Sequence, residues 1–304
     1  MGAVLALDVG GTKIAVGLVD SGGALTYTAA LPTRADQGTE VVWSVVAELI
    51  AGALDAAGGR VDAVGIGSAG PVDVGIGTVS PLNIAGWRGF ALRDRVAAAV
   101  PGVPVRLGGD GLCMALGEYR YGAGRGTRSM LGMVVSTGVG GGLVLDGVPL
   151  HGRTGNAGHV GHVVVDPQGE VCRCGGRGCV ETIASGPAMV RWALSNGWVP
   201  QAPAADAKAL SAAAQAGDPV AVQAFRRGTD ALAVMITSVA AVCDLDLVVI
   251  GGGVAKSGAV LFGPLRTALG QRARLDFLSG LQAVPAELGG DAGLVGAAVL
   301  ATLE

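Results

Sequence analysis

The sequence predicts an α/β protein of two related lobes, and three observations carry that prediction. An apolar run that turns through glycines and a hydroxyl residue into a second apolar run occurs twice, as LALDVGGTKIAVGLVD (5–20) and MVVSTGVGGGLVLDGV (133–148). At 304 residues the chain exceeds the usual size of one domain. Strand-like and helix-like segments alternate after each copy, so the second half repeats the opening of the first. A glycine turn between strands presents backbone N–H groups and hydroxyls to a phosphate chain without side chains in the way. Two such turns facing each other would hold a nucleotide between the lobes.

The elements follow in order. Residues 3–8, 13–19 and 24–31 read as an antiparallel meander, because GG and SGG turns separate the apolar runs. A helix is expected from about Thr39 to Ala57, where Val41, Val42, Val45, Val46, Leu49 and Ile50 form a broad apolar face. VDAVGIG (61–67) reads as a strand, followed by a Gly/Pro-rich stretch to Gly89, a short helix over 91–100 and a strand at VPVRLGG (103–109). GLCMALGEY (111–119) reads as a helix. The second half has strands at 130–136 and 142–146, a long irregular insert, and helices near 208–216 and 218–243. LDLVVIGGG (245–253) is a buried strand ending on glycines, and DAGLVGAAVLATL (291–303) is a last helix. The expected division is a first lobe over 1–120, joined by the final helix 291–304, and a second lobe over 121–290 that carries a cysteine-rich segment, 158–186.

Half of the residues are hydrophobic and 15% are charged, enough apolar material for two cores. The formal net charge of −3 offers no general attraction for nucleic acid or an anionic membrane, so a small ligand is expected, with neither nucleic-acid nor membrane partners. The start MGAVLALD lacks a basic n-region and a cleavage site, and no uninterrupted apolar stretch reaches the ~18 residues of a membrane span, which implies a cytoplasmic protein. Five cysteines in a chain of this size do not make a disulfide framework, and three of them crowd between 172 and 179.

The glycine runs match neither of the commoner phosphate loops. No Gly-Lys pair exists to build a Walker A loop, and STGVGGG runs into a strand where a dinucleotide fingerprint needs a helix. Asp8, just ahead of the first turn, is placed either to hold Mg²⁺ through water or simply to form the turn. Asp110, after the 103–109 strand and flanked by Gly108, Gly109 and Gly111, either caps the following helix or takes the proton from an attacking hydroxyl. His162, Cys172, Cys174 and Cys179 form an H-x9-C-x-C-x4-C array suited to a tetrahedral Zn²⁺ site, the alternative being buried free thiols. Such a metal would fix the approach of Glu181, two residues beyond Cys179. His159 is a polar ligand contact or an unliganded histidine. Cys113 and Cys243 lie in expected helices and read as core residues.

As a set these residues resemble the ROK family of sugar kinases and related repressors. The likeness runs nearly end to end, through DVGGTK (8–13), the Asp110 segment, STGVGGG (136–142), GHVGHVVVDPQGEVCRCGGRGCVETIASG (158–186) and VVIGGG (248–253). It implies the actin-like, ribonuclease-H-like ATPase fold with duplicated hairpin phosphate loops and a zinc-binding insert. It implies an ATP- and Mg²⁺-dependent kinase in which Asp110 deprotonates the 6-hydroxyl of a hexose. Asn83, Asp110, His159, His162 and Glu181 fall at sugar-facing positions. Asp8, Gly10, Gly11, Thr12 and Lys13, with Thr137, Gly138 and Gly140, fall at the phosphate loops. Gly251, Gly252 and Gly253 fall on the adenosine side, and the structural Zn²⁺ ligands map onto His162, Cys172, Cys174 and Cys179. The family is commonly homodimeric.

Two positions depart from the family pattern. Gly109 stands where an Asn usually precedes the catalytic Asp, and His159 stands where a Glu is usual, which exchanges an obligate acceptor for a group that can also donate. Bacterial N-acetylmannosamine kinases look similar in carrying that His but generally keep the Asn. Family frequency makes glucose the first expectation for the substrate, and the two departures keep N-acetylmannosamine and a modified hexose, such as an amino sugar or a C7 cyclitol, behind it. The rival class is a sugar-responsive regulator or non-catalytic binding protein. A DNA-binding helical region is not expected, because the first strand begins at about residue 3.

Overall fold

The computed structural model describes residues 2–201 and 204–303. Its elements are β1 (Val4–Val9), β2 (Lys13–Val19), β3 (Leu25–Pro32), α1 (Thr39–Ala56), β4 (Ala63–Ser68), β5 (Val72–Asp73), β6 (Thr78–Val79), α2 (Leu92–Ala99), β7 (Val105–Gly109) and α3 (Asp110–Tyr121). The second half continues with β8 (Met130–Val135), β9 (Val139–Leu145), β10 (Val148–Pro149), α4 (Glu181–Ala184), α5 (Gly186–Ser195), α6 (Ala207–Gln215), α7 (Pro219–Cys243), β11 (Leu247–Gly251), α8 (Ala259–Arg272), β12 (Gln282–Pro285) and α9 (Ala292–Thr302).

Two compact units result. The first comprises Met1–Arg125, Pro149–Gly158 and Gly290–Glu304, and the second comprises Gly126–Val148 and His159–Gly289. Each is built on a five-stranded sheet, in the order β3-β2-β1-β4-β7 in the first and β10-β9-β8-β11-β12 in the second. The correspondence is close. In each sheet the central strand pairs antiparallel with its hairpin partner (Leu7 opposite Val16, Met133 opposite Gly141) and parallel with a later strand (Leu7 beside Ile66, Met133 beside Ile250). This is the duplicated α/β architecture that the paired glycine turns foreshadow.

Hydrophobic periodicity explains which faces are covered. β1 and β4 are buried along almost their whole length, as strands with helices above and below must be. β3 alternates partly buried and exposed residues, as an edge strand with one covered face does. α1 lays Val42, Val45, Val46, Leu49 and Ile50 into the first core with Trp87, Phe90 and Leu92. α9 brings buried Leu294, Val295, Ala297, Ala298 and Leu300 against β1, β4, β7 and α3. The second core gathers Leu131, Met133, Phe225, Leu232, Ile236, Val248, Ile250 and Leu265 from β8, α7, β11 and α8.

The insert differs from its sequence reading. It is not irregular throughout, because α5 runs over ten residues within it, capped by Ser185, whose side-chain oxygen accepts the Ala188 N–H at 3.4 Å, with a proline in the first turn. Residues 149–158 pack with the first unit. There the Asn156 side chain accepts the Val72 N–H (2.9 Å) and donates to the Val72 carbonyl (2.6 Å), and the Val74 N–H donates to Thr154 O (3.1 Å). Among the described residues no helix is long and apolar enough to cross a membrane.

Candidate functional site

In the first unit the relevant side chains gather at the carboxyl ends of parallel strands, where α/β sheets place their ligands. Asp8 lies on β1, beside Gly67 of β4. Gly10, Gly11 and Thr12 make the turn, and Lys13 opens β2. The turn closes through Gly10 N–H to Lys13 O at 3.1 Å. Thr33, fully buried, locks it from beside: its hydroxyl donates to Gly10 O at 2.7 Å and its amide to Thr12 O at 3.1 Å. Sequence reasoning missed Thr33, whose only signal is a hydroxyl at a buried position just past an alternating strand.

Asp110 is the first residue of α3, directly after β7. It does not act as a side-chain cap for that helix, since its Oδ1 accepts only the adjacent Gly111 N–H, at 2.7 Å. The residue is open to water on one side, yet the protein packed around the rest strips enough hydration to push its carboxyl up to about 6, against the lowering effect of the Gly111 bond. Asp8 is likewise pushed up to about 6, first by burial and then by the negative charge of Asp110, with Lys13 pulling the other way. Two carboxylates that repel each other beside the Gly10–Thr12 turn form a donor set that a hard divalent cation would relieve, so the residues fit Mg²⁺.

Asn83 sits on the loop between β6 and α2, and Arg88 organises that loop. The Arg88 guanidinium donates to the carbonyls of Pro81 (2.6 Å), Ile84 (3.1 Å) and Trp87 (3.0 Å). Trp87 is fully buried, stacks on Phe90 with centroids 4.0 Å apart, and donates its indole N–H to Thr39 O at 3.2 Å. The Asn83 carboxamide thereby lies directly over the α-carbon of Gly11. Gly11 is glycine because a Cβ would collide with that carboxamide, a reason the sequence alone does not disclose.

In the second unit the turn between β8 and β9 is Ser136–Thr137–Gly138, closed by Ser136 N–H to Gly138 O at 2.8 Å. Gly140, expected in the turn, is within β9 and opposite Val134, because the hairpin closes two residues earlier. Gly251 ends β11, and Gly252 and Gly253 follow it against the same turn. The Val254 N–H donates to Val135 O at 3.0 Å, and the Gly186 N–H at the head of α5 donates to Ser136 O at 2.8 Å. A cavity of about 700 Å³ opens here, lined among others by Thr137, Gly186, Arg191, Lys208 and Gly253, and is large enough for a nucleotide. The amides of Gly11 and Thr12 in the first turn, and of Thr137 and Gly138 in this one, have no partner among the described residues.

Glu181 opens α4, and its Oε2 accepts the Val139 N–H at 2.8 Å, which ties it to the second turn. His159 precedes a short 3₁₀ turn that ends on His162, and their rings lie 6.3 Å apart. His162, Cys172, Cys174 and Cys179 present four ligand atoms within 4.8 Å of one another. The His162 Nδ1 to Cys172 Sγ and Cys174 Sγ to Cys179 Sγ distances are both 3.7 Å. A tetrahedron with Zn–S bonds of about 2.3 Å has edges of about 3.8 Å, so the cluster has the dimensions of a closed zinc site. The Gly176 N–H points at Cys174 Sγ (3.4 Å), an outer-shell hydrogen bond of the kind that orients thiolate ligands.

Known proteins resemble this chain in sequence and in fold. The chain is 37% identical over 308 residues to a glucokinase of Thermotoga maritima, covering 97% of this chain and 96% of the relative. It is 35% identical over 305 residues to an N-acetylmannosamine kinase of Yersinia pestis, covering 99% of each. Among solved structures, a ROK family glucokinase from Streptomyces griseus in complex with glucose and AMPPNP superposes with a TM-score of 0.85 at 36% identity, over 99% of both chains. The ROK family profile matches residues 4–304, and the chain belongs to the ROK family.

Proposed function

We propose that this ATP-dependent ROK-family hexose kinase phosphorylates the primary 6-hydroxyl of a hexose, with glucose as the first substrate. The observation that carries the reading is Asp110: a solvent-reached carboxylate at a strand end, held through one oxygen by Gly111 and left with the other free to accept a proton. Asp110 orients and deprotonates the hydroxyl. The unpartnered turn amides and the Lys13 charge stabilise the transferring phosphoryl group. Mg²⁺, held by Asp8 through water, would neutralise phosphate charge. His159, His162, Glu181 and Asn83 orient the sugar, and the 700 Å³ cavity beside Gly253 takes the adenosine. His162, Cys172, Cys174 and Cys179 would hold a structural Zn²⁺, which would supply an anchor for the His162 ring and the start of α4. A homodimer is the assembly we propose.

A second reading, an N-acylated or otherwise substituted hexose, draws on Gly109. Its backbone is ordinary extended chain (φ −69°, ψ 147°), and a Cβ there would meet nothing within 4 Å. Neither conformation nor packing demands glycine, and the result is open space next to Asp110.

The test is ADP release on a panel of glucose, N-acetylmannosamine, N-acetylglucosamine, mannose, an aminoglucose and a C7 cyclitol. Turnover on glucose, reduced about 10²–10⁴-fold in Asp110→Asn, is the expected result. Preference for a substituted sugar that moves toward glucose in Gly109→Asn would establish the second reading. Sugar binding by calorimetry with no turnover on any compound would sink both and leave a binding protein.

A further inference from the structure

Both glycine turns share a feature that their sequences do not announce. In each, one glycine cedes its side-chain space to a residue from a distant segment. At the first turn the occupant is the Asn83 carboxamide over Gly11. At the second it is Glu181: a Cβ on Gly138 would stand 2.6 Å from Glu181 Oε2, the same oxygen that accepts the Val139 N–H. Neither occupant is loosely placed. Asn83 rides on a loop whose carbonyls Arg88 gathers and whose Trp87 is buried. Glu181 follows directly on Val180, which is fully buried.

We infer that Asn83 and Glu181 are positioning residues for the nucleotide's phosphate chain, each bracing one glycine turn. The inference rests on the proposed reading of the same two side chains as sugar contacts and extends it. A glycine turn is conformationally free, and its amides converge on a phosphate only if something restricts that freedom. The Asn83 contact restricts Gly11, and the Glu181 carboxylate fixes the Val139 amide immediately after Gly138. A sugar that engages either side chain therefore also steadies the turn which that side chain braces, so sugar and nucleotide favour each other's binding, reciprocally as linkage requires.

The decisive measurement is AMPPNP–Mg²⁺ affinity by calorimetry with no sugar present, because a residue that only touches sugar leaves that affinity unchanged. Asn83→Ala and Glu181→Ala are each expected to weaken nucleotide binding about five- to tenfold, while Glu181→Gln, which keeps an acceptor for Val139, stays close to the wild type. Gly138→Ala supplies a second route that leaves both bonding groups intact: its methyl displaces the Glu181 oxygen, so it weakens binding in the wild type and has no further effect on Glu181→Ala. Equal affinity in all variants overturns the inference, as does a Gly138→Ala effect that persists undiminished without Glu181. Absence of AMPPNP binding by the wild-type protein overturns the kinase reading itself, and the inference with it.

Discussion

Asp110 and Asp8 show what a site costs at the scale of single residues. Both carboxyls are pushed up to about 6, chiefly because burial disfavours their charged forms. As the proposed base, Asp110 would work only when ionised, so kcat/KM is expected to fall as pH drops through about 6, approaching a tenfold loss per pH unit below it. The stability consequence has the opposite sense. A carboxyl with a raised folded-state pKa binds its proton more tightly when folded, so this pair destabilises the fold at neutral pH, and the penalty disappears as pH falls from about 6 toward 4. Asp110→Asn should therefore raise the thermal midpoint at pH 7 while cutting turnover about 10²–10⁴-fold, and the gain over wild type should shrink at pH 4–5; equal midpoints across that range would refute this. The place of Asp110 at a strand end was legible in the pattern of an apolar run, glycines and one acid, whereas position alone left both a helix cap and a base open. Thr33 and Arg88 were not, because their roles consist of hydrogen bonds to carbonyls distant in sequence or without side-chain identity.

Among the elements, legibility followed hydrophobic periodicity. The strands of both hairpins, α1, α7 and α9 were placed within a few residues, since long apolar patterns dominate them. α8 and β12 were not anticipated. α8 carries Pro264 and two glycines within its span, and β12 is a four-residue strand, partly exposed, that ends on a proline. α5 was hidden behind the cysteine-rich segment, whose composition drew the whole insert toward a loop reading. That segment makes its own prediction. Elemental analysis of purified protein should find a single zinc per chain, and chelation or Cys172→Ser should lower the thermal midpoint by several degrees, each kcal/mol being worth roughly 2–4 °C at this size. The sugar KM should rise with it, because a metal held by these four ligands would also orient the His162 ring and the start of α4. An unchanged midpoint after complete metal removal would show that the four ligands are held by packing alone.

The whole molecule is a duplication in which the sheets agree and the connections do not. The second unit is interrupted only by the excursion 149–158, whereas the first is assembled from three separate stretches of chain. Its last contribution, α9, supplies seven buried apolar side chains to the sheet and to α3. A chain ending at residue 289 should keep native-like amide protection through β8, β9, β11 and α7 but lose it through β1, β4 and β7; uniform protection in hydrogen exchange would contradict this. On the ribosome, the consequence is a matter of timing. The first sheet leaves the exit tunnel early and waits with one apolar face bare while some 180 further residues are made, during which the second unit can already close. The segment that emerges first is thus the last to finish folding, and for that interval its uncovered face is the natural station for a chaperone.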